Sequence, residues 1–412
     1  MKKVVITGTG IISPLGNDVE TFWTNIINGK CGIGSLQGFD DYDLPMRIAG
    51  QVQDFDCKDF GITASEARRS DKFCWYAYGA AEQAIKESRL QSGVNISPER
   101  FGVYVGSCIG GLNTFIAQTG VLSTEGAKRI SPHFITMMII NMAGGNLAIK
   151  YNAQGPCLSV VSACATGTNA IGEAYLAIAY GRADAIIAGG SDAAVHPLTI
   201  GAFANCKALS TASDPSRAST PFDRDRSGFV MSEGAGIMIM EEYEHALARG
   251  AEIIAEVAGY GTTCDAYHCT APSPEGLPAS KAMKEALKEA GYDGSDSLYI
   301  NAHGTGTILN DKTETNAIKL ALGDSLSHKI IISSTKSMTG HMLGAAGAAE
   351  AVVTALALKN GVIPPTIGLL NPDPECDLNY TPLIASQKNV RFGLSNSLGF
   401  GGHNASVAFK SI

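Results

Sequence analysis

Short apolar, β-prone runs alternate with longer segments of helical periodicity along almost the whole chain, and the alternation is played through twice. In the first half, residues 2–7, 101–106, 184–189 and 237–241 read as strands. Helical patterns cover 18–27, 64–90, 112–155 and 242–249, the last stopped by Gly250. In the second half, strands at 253–259, 298–302 and 330–333 are interleaved with helices over 281–290, 311–321 and 345–358. Strand–helix alternation covers both faces of a sheet with helices, so the expected class is α/β. Two such halves meeting near residue 250 predict an internally duplicated protein with units over 1–250 and 251–412.

Composition narrows what such a protein can do. A formal net charge of −8 argues against nucleic acid or an anionic membrane as the main partner. The 10 cysteines are scattered with no CxxC pair, so zinc ribbons and thioredoxin-type redox sites have no support. That pattern fits reduced thiols inside a cell. Met1-Lys2-Lys3-Val4 enters a strand at once without a signal-peptide core, and no apolar run is long enough to span a bilayer. A cytoplasmic protein that neither enters membranes nor binds nucleic acid is expected. Gly8-Thr9-Gly10-Ile11-Ile12-Ser13-Pro14 reads as a loop after the first strand, yet it lacks the third glycine of a dinucleotide fingerprint, and Pro14 intrudes.

Chemistry concentrates at Val160-Val161-Ser162-Ala163-Cys164-Ala165-Thr166-Gly167. A β-prone run rises to one cysteine, and small residues then open an alanine-rich helix, which predicts a sharp strand-to-helix turn. Near a helix N-terminus, unpaired N–H groups and the positive dipole end favour thiolate. A lone cysteine is more often packed than reactive, and only its company argues otherwise. Three further stretches follow strands or glycines: Asn301-Ala302-His303-Gly304-Thr305-Gly306-Thr307, Ser334-Thr335-Lys336-Ser337-Met338-Thr339-Gly340-His341, and Ser395-Asn396-Ser397-Leu398-Gly399-Phe400-Gly401-Gly402-His403-Asn404. Asp311 and Glu314 open the helix behind the His303 loop. A nucleophile, two imidazoles able to donate to a carbonyl, and glycines that let N–H groups approach an oxyanion are the requirements of acyl transfer. Met137, Met138 and Met142 suit either a greasy cavity or core packing.

Four co-linear motifs, Ser162-Ala163-Cys164-Ala165-Thr166-Gly167, His303-Gly304-Thr305-Gly306-Thr307, Lys336-Ser337-Met338-Thr339-Gly340-His341 and Gly399-Phe400-Gly401-Gly402, closely resemble those of the β-ketoacyl-acyl-carrier-protein synthases. The likeness is to the elongating type II condensing enzymes of that family, in the thiolase superfamily, and runs over the full length. It implies a thiolase-like duplicated fold, two mixed β-sheets in a layered αβαβα arrangement, and a homodimer. Cys164 would hold the growing acyl chain as a thioester, while His303 and His341 assist decarboxylation of malonyl-acyl carrier protein. The N–H groups of Cys164 and Phe400 would form the oxyanion hole, and Phe400 would gate the cavity. Lys336 would join a charged network with Asp311, Glu314 or Glu350 that orients the histidines. By the same resemblance Thr305 and Thr307 would bind the phosphopantetheine arm, and Ile109 and Phe203 would border the acyl pocket. Arg68, Arg69, Lys128, Arg129 and Lys207 would dock the acidic carrier. No metal and no cofactor is implied, because the arm arrives on the carrier.

Two departures keep other readings open. Gly306-Thr307-Ile308-Leu309 replaces a Ser-Thr-Pro run, and His403 follows Gly402 where many relatives have threonine. The first leaves room for a ketosynthase of a type II polyketide or polyene pathway. A non-catalytic chain-length partner subunit would have no need of Cys164, His303 and His341 together. A biosynthetic thiolase would use a second cysteine near the C-terminus, which Gly402-His403-Asn404 does not supply.

Overall fold

In the computed structural model, which describes residues 1–412, the first apolar run does not stop at Gly8 but continues as a nine-residue strand, β1 (Val4–Ile12). The loop expected at 8–10 is therefore a strand, and its glycines serve close packing. A Cβ on Gly8 would stand 2.1 Å from the carbonyl oxygen of Ala84, and one on Gly10 1.8 Å from that of Ala80. Both carbonyls belong to α1 (Lys72–Ser88), which lies directly on the strand. The helix expected over 64–90 is broken ahead of α1, with a separate short turn at Ala64–Ala67. The break frees Asp71, at the start of α1, to accept the N–H of Thr114 at 2.7 Å.

Nine further strands complete the main sheet. The first half supplies β2 (Phe101–Gly106), β3 (Cys157–Leu158), β4 (Ala185–Asp192) and β5 (Gly234–Glu242). The second half supplies β6 (Ala255–Cys264), β7 (Leu298–Asn301), β8 (Ile331–Ser333), β9 (Phe392–Gly399) and β10 (His403–Lys410). Spatial order is β3-β2-β4-β5-β1 in one half and β8-β7-β9-β10-β6 in the other. The two orders are the same, and so are the directions. The three strands at each outer end run parallel, and the other two are antiparallel additions. The two halves are not separate sheets, however. Val4, Val5 and Ile6 pair with Val257, Glu256 and Ala255, so hydrogen bonding runs unbroken over ten strands.

The segment 112–155 divides into α2 (Leu112–Glu125), a short helix at Phe134–Met138 and α3 (Met142–Lys150). Helices α1 and α3 cover one outer face over a cluster of 24 buried apolar residues. The opposite outer face carries α5 (Leu277–Glu289) and α6 (Ile308–Leu322) over a cluster of 21. Between the halves lie α4 (Thr166–Ala179) and α7 (Ala346–Asn360), which contribute to the largest cluster, of 33 residues. This makes the layering αβαβα. Every residue of α7 from Ala346 to Leu358 is buried, as expected of a helix that is apolar all round. Glu350 is its one charged exception among them, a signal that something nearby must compensate it. No helix is long and apolar enough to cross a membrane.

Candidate active site

The turns after β2, β7, β8 and β9 bring Ile109, His303, Lys336 and Phe400 to strand carboxyl ends, where open α/β sheets place ligands, and Asp192 is the last residue of β4 at the same end. The cysteine arrives differently. Residues 160–162 are not a strand, since β3 ends at Leu158, and the chain then passes through a one-turn 3₁₀ helix, Ala163–Ala165, into α4. Ala163 sits at φ 50, a left-handed conformation that costs a residue with a Cβ about 1–2 kcal/mol. Neighbouring hydrogen bonds hold it there. Ser162 N–H donates to Thr166 Oγ1 at 2.9 Å, Asn169 Nδ2 donates to Ser162 Oγ at 2.6 Å, and Tyr260 Oη donates to Asn169 Oδ1 at 2.7 Å. Gly399 closes against the same turn, where a Cβ would lie 2.8 Å from the Ser162 carbonyl oxygen.

The electrostatics of Cys164 reverse the expectation of an easily formed thiolate. Burial pushes its thiol up to about 11. The Lys336 ammonium and the N–H groups of Phe400 and Cys164 pull down, while the Asp192 carboxylate adds to the rise. Desolvation outweighs the helix terminus because one buried charge costs more than a partial dipole returns. Alkylation of Cys164 by iodoacetamide should therefore keep accelerating above pH ~9, whereas an ordinary thiol levels off just above ~8.5. A plateau near 8.5 would contradict this account.

His303 and His341 face each other, their rings 5.4 Å apart and inclined at 85°. Leu343 N–H donates to His341 Nδ1 at 3.3 Å, and His341 Nε2 is buried with no protein partner. Lys336 Nζ stands 3.3 Å from His303 Nδ1. With a donor at each Nδ1, both rings carry their proton on Nε2. Burial and the Lys336 ammonium hold both imidazoles well below the ordinary 6.5, and at His303 the neighbouring His341 lowers it further. Neutral Nε2–H donors are what a developing enolate oxygen needs. A lowered imidazole pKa keeps the ring neutral as pH falls. Malonyl decarboxylation should therefore stay flat from pH ~7.5 to ~6, through the range where a free histidine titrates. A drop centred near 6.5 would count against it.

Of the three carboxylates expected around Lys336, only Glu350 ion-pairs with it. Glu314 instead accepts the backbone N–H groups of His303 and Gly304, each at 2.8 Å. Asp311 accepts from Phe222 N–H at 2.8 Å and Gly306 N–H at 3.2 Å. Both carboxylates thus brace the loop that carries His303, Thr305 and Thr307. Burial lifts Glu314 and Glu350 to about 7 each.

A cavity of about 320 Å³ is lined by Cys164, both histidines, Thr305, Thr307, Phe203, Phe400 and Lys207. The Phe203 and Phe400 rings lie 6.2 Å apart at its side. Ile109 lines a second, apolar pocket with Phe115, Met138, Ile139 and Val161, so one of the three methionines serves as lining. Arg68, Arg69, Lys128 and Arg129 are exposed but belong to neither pocket lining, and Arg129 pairs with Glu125 at 3.4 Å. Ile308 and Leu309 line the cavity and are themselves exposed, which makes one side of its mouth apolar.

Two residues escaped sequence reasoning. Arg226, in the charged stretch 221–230, donates to the carbonyls of Thr307 at 3.3 Å and Ile308 at 3.0 Å and so clamps the threonine turn. Asp192 closes a strand that is apolar apart from Ser191, and it is fully buried. An acid ending a run of Ala, Ile and Gly was a visible signal, but its partners lie 83 to 152 residues away.

The family model for "Beta-ketoacyl synthase, N-terminal domain" matches residues 1–246, and that for "Beta-ketoacyl synthase, C-terminal domain" matches 254–370. The chain is 49% identical to a protein of Synechocystis sp. named 3-oxoacyl-[acyl-carrier-protein] synthase 2, over 99% of this chain and 98% of the relative. Its identity to the protein of the same name from Staphylococcus aureus is 47%, over 100% and 99%. Among solved structures, a type II polyketide acyl-carrier protein in complex with its ketosynthase, bound to the hexaketide, superposes with a TM-score of 0.90 at 36% identity. That match covers 100% of this chain and 99% of the other.

Proposed function

The chain belongs to the β-ketoacyl synthase family, and from that premise we propose that it joins malonyl-acyl carrier protein to an acyl group held on Cys164. It is a condensing acyltransferase of the 3-oxoacyl-acyl-carrier-protein synthase kind. The observation that carries the reading is one cavity in which a cysteine meets two neutral imidazoles with Nε2–H donors.

The Cys164 sulfur attacks the carrier-bound thioester, the carrier thiol leaves with a proton, and the acyl group passes to Sγ. The oxyanion formed is held by the N–H groups of Cys164 and Phe400, both of which bear on Sγ. The malonyl thioester carbonyl then accepts from the Nε2–H groups of His303 and His341. The bond to the carboxylate breaks, carbon dioxide leaves, and the electron pair enters the enolate. Its carbon attacks the acyl thioester and the C–S bond breaks. The Cys164 thiolate so released takes up a proton from solvent, which regenerates the thiol, and a 3-oxoacyl-carrier two carbons longer departs. Each step uses side chains and backbone of this chain, so the reaction calls for no cofactor beyond the arm on the carrier.

Fatty-acid elongation is the favoured pathway, supported by the identity to the relatives named synthase 2. A polyketide role rests on the Gly306-Thr307-Ile308-Leu309 run and its apolar cavity mouth. Purified protein given malonyl-carrier and a series of saturated or 3-oxo acyl-carriers, with products weighed by mass spectrometry, separates the two. Turnover only of 3-oxo chains would transfer the assignment to polyketides, and no product with any chain would remove the enzyme. In the same assay Ile109→Phe should shorten the longest accepted chain by about two to four carbons, since one aromatic ring fills that much of an apolar slot. Unchanged products would detach Ile109 from the acyl pocket.

The partner surface is read from charge and exposure. Lys207 at the cavity mouth, with exposed Arg68, Arg69, Lys128 and Arg129, suits an acidic carrier protein steered by charge. A second copy of the chain is proposed on the β3 edge, where Leu158 and Val161 are about half exposed. Sedimentation should give a homodimer, and a monomer that needs a second, different chain would overturn it. A cytoplasmic setting is supported by ten free cysteines.

A further inference from the structure

The duplication extends to the nucleophile's own turn. Helix α7 starts after a one-turn 3₁₀ helix, Leu343–Ala345, as α4 starts after Ala163–Ala165. Leu343 sits at φ 53 and Ala163 at φ 50, so Gly344 occupies the place that Cys164 holds in the other half. The backbone N–H of Gly344 donates to Asp192 Oδ2 at 2.7 Å. The same carboxylate accepts from Ser107 Oγ at 2.6 Å, and from Cys108 N–H and Ile109 N–H, both at 3.1 Å. Asp192 is fully buried, and these four donors use both its oxygens, which leaves no lone pair aimed at the cavity for proton transfer.

What the carboxylate holds is a strained turn with a task. Leu343 is a γ-branched residue in the left-handed region, and its N–H is the donor to His341 Nδ1. We propose that Asp192 is a positioning residue for the reaction: by clamping Gly344 it keeps the Leu343 N–H on His341, and by clamping 107–109 it fixes Ile109 in the acyl pocket. One buried carboxylate thereby sets both the tautomer of the decarboxylating histidine and the wall that measures the acyl chain. An oxyanion hole formed by the second turn is filled permanently from within, and only the Cys164 turn remains open to substrate.

The catalytic part rests on the reading of His341 given above, so the test includes a readout that does not depend on activity. Asp192→Asn places an NH₂ among backbone donors. In protein labelled with ¹⁵N-histidine, His341 should move from a Nε2–H tautomer to a mixture containing Nδ1–H. Malonyl decarboxylation should fall about 30-fold or more while acyl loading of Cys164 changes less than about threefold. An unchanged His341 spectrum would overturn the tautomer role even if the wild-type enzyme condenses normally. Loss of both steps in equal measure would overturn it too. Because Asp192→Asn is a severe change in a buried site, Ser107→Ala provides the second arm. It removes one donor on the Ile109 side and keeps the Gly344 bond, so it should shift product chain length and leave the His341 spectrum alone. Unshifted products would remove the Ile109 half of the proposal.

Discussion

Cys164→Ala should end condensation, with a loss of at least about 10⁴-fold, while the protein stays folded. No other cysteine lines the cavity near the two histidines except the exposed Cys206, so no second thiol stands in the strained turn to take the acyl chain. The change in stability should be within about 1 kcal/mol, because alanine keeps the Cβ, and the lost sulfur faced the cavity rather than the core. Decarboxylation of malonyl-carrier should survive, since the Nε2–H donors of His303 and His341 do not depend on the thiol. Acyl-enzyme mass, carbon dioxide release and product formation measured on one sample, with denaturant unfolding of the same preparation, resolve all three statements. Full condensation by the alanine variant would mean that acyl transfer is direct and that the nucleophile has been misassigned.

The second large effect belongs to Lys336. Its side chain is 1% exposed, ion-paired to Glu350 and 3.3 Å from His303 Nδ1. Lys336→Ala strands a carboxylate inside α7, and breaking a buried pair in this way costs about 3–5 kcal/mol. The sign with pH follows from Glu350. Burial already lifts it to about 7, against the pull of Lys336, and losing the ammonium lifts it further. Below that range the stranded group is protonated and tolerated, whereas above it the charge must be buried. The midpoint of thermal unfolding should therefore drop more at pH ~8 than at pH ~6. Removing both members, Lys336→Met with Glu350→Gln, should recover most of the stability and little of the activity. His303 would still lack its Nδ1 donor, and Cys164 would lose the cation that draws its thiol down. Recovery of activity together with stability would reduce Lys336 to a structural ion pair.

These two residues were reachable from the chain in different degrees. Cys164 announces itself because its turn is local: small residues, a helix start and a glycine loop nearby in kind if not in sequence. For Lys336 the chain offers three candidate carboxylates and no means of choosing among them. Glu350 is its partner because α7 packs under β7 and β9, with Asn301 Nδ2 donating to the Glu350 carbonyl at 3.2 Å, while Glu314 and Asp311 spend their oxygens on backbone N–H groups of the His303 loop. The thiol shows the same divide. A helix terminus is a local feature and argues for thiolate, but desolvation is set by everything that closes over the site, and it wins.

Alternating apolar and amphipathic segments, with an acyl-transfer set of one cysteine and two histidines, were determined by sequence alone. Strand and helix formation depends on near neighbours, and those motifs are contiguous. The tertiary structure decided that Gly8 and Gly10 are packing surfaces, that the strands of the two halves join at a seam into one sheet, and that Asp192 ties the turn after His341 to the Ile109 loop. In each case the deciding contact joins segments distant along the chain, and its strength comes from the exclusion of water that only the folded layers provide.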